Sequence, residues 1–173
     1  EEPGPDLGTV ADERDRKTIA QRIARGAIRG KAREAYYLPT PGSPYGGILT
    51  LGLGRPDALD AEVMRRAAGE AASVFSKQHH THVVLDASSQ DALPVEAFVE
   101  GLMLAQYDFH AYKKPESDPP VTVHEITVLT SDAECLEDLR AGCGATVLVC
   151  QNTNWARDLA NTPPNDLTPR ALA

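Results

Sequence analysis

Hydrophobic positions along the 173-residue chain alternate between helical and strand spacing. Ile19, Ile23 and Ala27 recur every four residues, predicting a helix from Asp12 to about Arg25, with acidic residues in its first turn and arginines toward its end. Glu34–Leu38 reads as a short strand that stops at Pro39. Gly47–Leu53 reads as a second strand, nearly continuous in Ile48, Leu49, Leu51 and Leu53, as expected when both faces are covered. Asp60 is placed to cap a helix running to about Lys77, with Val63, Ala67, Ala71, Val74 and Phe75 as its apolar stripe. Thr81–Leu85 supplies a third strand. Pro94 suits the first turn of a helix carrying Val95, Phe98, Val99 and Leu102 on one face. A proline-rich loop over 110–120 leads to a fourth strand, His124–Leu129. Ser131 and Glu134 have the spacing of a capping box that opens a last helix, striped by Leu136, Leu139, Cys143, Val147 and Cys150. Strands alternating with helices predict an α/β fold with a mixed or parallel sheet flanked by helices.

Composition fits one ordinary globular domain: 42% of residues are hydrophobic, 24% charged, and the net charge is −8. No apolar run is long enough to span a bilayer. The longest uncharged run, Ala141–Ala156, contains glycines, Gln151, Asn152 and Asn154. The acidic start, Glu1-Glu-Pro-Gly-Pro-Asp6, resembles neither a secretory nor a transit peptide. Cys135, Cys143 and Cys150 match no zinc or redox spacing and read as reduced core thiols of a cytoplasmic protein.

Charge is uneven. Residues 14–33 hold eight of the seventeen basic residues, with Asp15 the only acid among them. The acidic remainder argues against a dedicated nucleic-acid binder. The basic stretch reads as a solvated helix face, with a phosphate-bearing or acidic partner as the alternative.

Candidate chemistry is sparse. Gly52-Leu-Gly54-Arg-Pro-Asp57 follows a strand like a dinucleotide loop, but Asp57 stands where the third glycine belongs and would repel phosphate, so a strand-end turn is expected. His79, His80 and His82, with Asp86 nearby, form a metal-like cluster short of ligands; a solvated strand entrance is the simpler expectation. Asp132, Glu134, Glu137 and Asp138 read as dipole-favouring charge at a helix start. The residues alone therefore assemble no active site.

The C-terminal stretch, Trp155-Ala-Arg-Asp-Leu-Ala-Asn161-Thr-Pro-Pro-Asn165-Asp-Leu-Thr-Pro169, ends a helix and enters a proline-stiffened connector. This string resembles the segment joining the two domains of leucyl aminopeptidases, the cytosol aminopeptidase family. Val99–Tyr112 resembles that family's helix ahead of a variable loop, and Leu51-Gly-Leu-Gly54 followed by Arg65-Arg-Ala-Ala-Gly69 is similar to a third segment.

The resemblance implies an N-terminal domain with a macro-domain-like, three-layer α/β arrangement, a mixed sheet of about four to six strands flanked by helices. It divides the chain into a flexible tail over 1–11, the domain over 12–160, and a connector over 161–173 built on Asn161, Thr162, Pro163, Pro164, Asn165, Leu167, Thr168 and Pro169. It further implies a separate catalytic domain holding two divalent ions, zinc or manganese, that hydrolyses the first peptide bond of peptide substrates within a hexamer. No catalytic, metal or substrate residue of the family falls on this chain. Asn152-Thr-Asn154 shares only two letters with the family's Asn-Thr-Asp metal segment. The chain then serves oligomer assembly and active-site access. The alternative is a ligand- or DNA-binding module that uses the basic 14–33 stretch or a macro-like cleft. Family members usually open with a hydrophobic strand, and residues 1–11 hold none: either the chain is trimmed or the strand was lost, and without that neighbour a sheet edge is expected to lie open.

Overall fold

The structure, a computed structural model, describes residues 12–43, 45–87, 94–114, 120–130 and 134–172. Helix α1 (Glu13–Ala24) starts where Asp12 accepts the amide of Asp15 at 2.8 Å, satisfying one of the helix's orphan donors. Strands β1 (Ala35–Pro39) and β2 (Gly47–Leu51) form an antiparallel ladder, with Tyr37 opposite Leu49. Helix α2 (Ala61–Lys77) is capped by Asp60, whose Oδ1 accepts the Val63 amide at 2.7 Å. Strand β3 (His82–Asp86) pairs in parallel with β4 (Glu125–Leu129), and α3 (Val95–Ala105) lies on the crossover between them. Helix α4 (Leu136–Asn161) spans 26 residues, and a short α5 (Pro169–Leu172) follows.

The fold is mixed α/β, as expected, but the sheet differs from the expectation. Among the described residues four strands form two separate two-stranded ladders, β1–β2 and β3–β4, instead of one sheet. One ladder is antiparallel and the other parallel, so the mixed character holds.

The core lies between α2, α3 and the strands. Met64, Ala68, Ala71, Ala72 and Phe75 of α2 meet Ala97, Phe98 and Leu102 of α3 and Val83 of β3, while Leu49, Leu51, Leu85 and Ile126 close it from the strand side. The alanines and Gly101 let α2 and α3 approach closely: a Cβ on Gly101 would lie 2.4 Å from the Arg65 carbonyl oxygen. Arg65 then bridges the two helices through Glu100 at 2.6 Å. Helix α4 covers the far side of α3, where Cys150 is wholly buried near the Glu100 carbonyl.

Helix α4 is continuous through Gly142 and Gly144, and it begins at Leu136 after Cys135 with no side-chain cap bond. The expected capping box rests on Ser131, which lies outside the described residues, as do Asp132 and the proposed tail over 1–11. Leu136, placed on the buried stripe by its spacing, is exposed because it sits in the first turn.

Candidate functional site: the connector and its clamp

The connector leaves α4 at a well-defined stop. Asn161 is the last helical residue, and Thr162 turns extended at φ −75° and ψ 127°, the conformation required of a residue before proline. The Thr162 hydroxyl donates to the Asp158 carbonyl at 2.7 Å, a second bond to an acceptor that also takes the Thr162 amide at 3.0 Å. Pro163 cannot extend the helix, but its carbonyl accepts the amides of Asp166 and Leu167 at 3.0 and 2.9 Å. Pro164 and Asn165 lie exposed in that turn, Leu167 is half-buried, Thr168 is exposed, and Pro169 opens α5.

Side chains from the segment after α3 hold this exit in place. The Tyr107 hydroxyl donates to Asp158 Oδ1 at 2.9 Å and accepts from the Asn161 amide at 3.1 Å. The Arg157 guanidinium lies 5.2 Å from the Tyr107 ring centroid and donates to the Leu104 carbonyl. Asn154 reaches the Met103 carbonyl at 3.5 Å. Tyr112 donates to Asp166 Oδ2 at 2.6 Å and packs its ring 5.8 Å from that of Phe109. Lys113 and His110 both approach Asp108, which fastens the base of the same loop.

The electrostatics follow from these contacts. Desolvation raises the Tyr107 phenol above its ordinary range; the bond to Asp158 adds to this and the bond from Asn161 opposes it. Tyr112 is raised chiefly because it donates to Asp166. The Lys113 ammonium holds Asp108 below the usual carboxylate range. These groups position backbone and hold charge; none is paired with a nucleophile. The sequence marked the connector but not its clamp. Its only signal was three aromatic residues, Tyr107, Phe109 and Tyr112, in an otherwise polar loop.

The other candidates separate in space. His80 Nε2 lies 2.7 Å from the Tyr37 hydroxyl, whereas His82 faces Thr127 at 3.0 Å and Glu125 at 3.9 Å. His79 is exposed, at φ 57° in the turn after α2. Among the described residues no three His, Cys, Asp or Glu side chains converge on a metal position. The Gly52–Asp57 loop packs against the 30–34 turn, with the Gly52 and Gly54 amides donating to the Glu34 and Gly30 carbonyls. Arg55 is engaged by Asp57 at 2.6 Å, so the loop is a strand-end turn that offers no vacant cation to phosphate. All eight basic residues of 14–33 are exposed; Lys17 pairs with Glu13 and Arg33 with Glu70. Among the described residues no helix is long and apolar enough to cross a membrane.

Comparison with known proteins places this arrangement. The family description "Cytosol aminopeptidase family, N-terminal domain" matches residues 3–116. A probable cytosol aminopeptidase of Nocardia farcinica is 34% identical over 99% of this chain and 33% of its own length. One from Mycobacterium bovis is 36% identical over 83% of this chain and 27% of its own. The chain thus spans about a third of the length of the relatives it matches. Among solved structures, a mutant of tomato leucine aminopeptidase superposes with a TM-score of 0.73 at 17% identity, over 100% of this chain and 35% of that one. The bottromycin maturation enzyme BotP in complex with Mn superposes at 0.66 and 23% identity, over 88% of this chain and 31% of that one; both likenesses are of fold. The chain belongs to the cytosol aminopeptidase family, and what matches is that family's N-terminal domain.

Proposed function

We propose that this chain is the non-catalytic N-terminal domain, over 12–160, of a metal-dependent aminopeptidase. Residues 161–173, including Asn161, Thr162, Pro163, Pro164, Asn165, Leu167, Thr168 and Pro169, form its connector to the catalytic domain. One observation carries the reading: the polar groups gathered at the end of α4 are spent on fixing the direction of the connector, not on chemistry. In this reading the domain takes a macro-like, three-layer arrangement and the parent is a cytoplasmic hexamer. The domain helps assemble that hexamer and shapes peptide access to sites built elsewhere in the polypeptide. Two divalent ions, zinc or manganese, belong to that other domain, where metals supply Lewis-acid and nucleophile-generating chemistry. The manganese bound by BotP supports the metal class for the parent.

The experiment is direct. The full-length parent, supplied with manganese or zinc, is expected to release leucine from a chromogenic leucine amide, and the 173-residue chain is expected to release none. Metal-dependent turnover by the short chain would overturn this division of labour. The exposure of all eight basic residues over 14–33 supports a second reading, an anionic partner along that stretch. A gel-shift titration distinguishes it, since phosphate contacts weaken steeply as salt rises.

A further inference from the structure

Helix α4 has two faces of unlike partnership. Toward α3 it presents Cys143, Val147, Cys150 and Arg157, all buried or half-buried. On the other side Leu148, Val149 and Trp155 are 61%, 62% and 58% exposed. Leu148 and Trp155 are seven residues apart, two helical turns, so they stand in one row with Asn152 between them. Solvated helix faces in this protein look different: α1 carries Glu13, Arg14, Arg16, Lys17 and Arg22 outward. The outer row of α4 lies within Ala141–Ala156, sixteen residues without one charge in a chain of net charge −8. A tryptophan, a leucine and a valine held outward on a rigid helix with no charge among them have the composition of an interface core.

We propose that this row, centred on Leu148, Val149 and Trp155, is the seat of the domain that follows the connector in the parent polypeptide, which would meet it with an uncharged, apolar patch of its own. The proposal rests on the reading of the chain as one domain of a longer aminopeptidase. Three features select this occupant. The relatives extend over about three times the aligned length, so a second body of chain is to be accommodated. The row ends six residues before Asn161, and the clamp from Tyr107 and Tyr112 holds the exit of the chain beside it. A tethered domain also arrives at an effective concentration on the order of millimolar. A patch of three large side chains, small for a free dimer needing ~800 Å² per partner, is then sufficient.

The test uses the intact parent, with oxidative footprinting read by mass spectrometry at Trp155 against added N-acetyltryptophanamide. If α4 stays as open as its 58% exposure indicates, Trp155 reacts within about twofold of the standard, and the proposal is overturned. Seating predicts a rate at least about tenfold lower, as for a residue packed to interior density. Leu148→Asp in the parent is expected to restore rapid oxidation of Trp155 while the Cys150 thiol, 0% exposed, stays unreactive and so reports an intact fold. Should L148D also uncover Cys150, the milder Leu148→Asn repeats the measurement; Trp155 still slow with Cys150 covered counts against the proposal. Protection that disappears on dilution to the monomer assigns the row to contact between copies and overturns it as well. Leucine-amide hydrolysis is followed in parallel: an active parent with an open Trp155 removes only this inference, and an inactive parent with Trp155 covered removes only the functional reading.

Discussion

Tyr112 donates its hydroxyl to Asp166 at 2.6 Å, joining the loop after α3 to the connector across 54 residues of sequence. Tyr107 makes the parallel link to Asp158, one helical turn before the stop at Thr162, and to Asn161, the last helical residue. Together they fix where the chain leaves the domain. Neither link adds much apolar burial, so their effect is on local opening, not on the global fold.

Tyr112→Phe should therefore leave the thermal midpoint nearly unchanged and loosen the connector. Thermolysin cleavage ahead of Leu167, which is half-buried in the native turn, is the measurement. Cleavage is expected to quicken severalfold in Y112F and in Asp166→Ala, and the double variant should add little, because both remove one bond. Fully additive effects would show that the two residues act separately.

The clamp should also respond to alkali. Tyr107 and Tyr112 both titrate above the ordinary tyrosine value of 10.0 in the folded protein. A raised folded value means the protonated phenol is favoured by folding. The stabilisation is then fully present below the unfolded value and is lost as pH rises through the folded one. Connector cleavage should be flat from neutral pH to about 9 and climb above 10, beyond the ordinary tyrosine pKa. In Tyr112→Phe carrying Tyr107→Phe that climb should vanish.

How much of this was legible in the sequence depends on the range of the interaction. Asp60 announced its helix because capping acts within three residues. The four strands fell within a residue or two of their predicted bounds, since the apolar alternation is local. The split into two ladders was not legible, because strand pairing is decided by the packing of α2 and α3 behind the strands. The histidines part for a similar reason: His79 takes a left-handed turn, and beyond it His80 meets Tyr37 while His82 stays on the strand. The clamp unites residues 51 and 54 positions apart, beyond any spacing rule.

The Asp60 cap gives a local stability test. Its carboxylate accepts the Val63 amide at the start of the helix that supplies most of the core. Asp60→Ala should cost about 1 kcal/mol, and Asp60→Asn much less, since the amide oxygen still caps. Denaturant unfolding at constant slope is the check. An equal loss for both variants would point to charge at the helix start, not the hydrogen bond, as the dominant effect.

Gly101 sets the spacing on which the rest depends. A Cβ there would lie 2.4 Å from the Arg65 carbonyl oxygen and 2.7 Å from its Cα, both backbone atoms that cannot rotate aside. Two effects oppose each other in Gly101→Ala: helix propensity favours alanine by about 1 kcal/mol, and overpacking costs about 1–3 kcal/mol. The backbone contact decides the sign, because relieving it moves α2 away from α3 and opens the cluster around Phe98 and Leu102. Gly101→Ala should therefore lower stability despite its better helix former. At Gly144, where an added Cβ meets nothing within 4 Å, the same substitution should raise it. Urea unfolding of the two variants side by side tests the argument, and a stabilised Gly101→Ala would refute the claim that this glycine holds the two helices in contact.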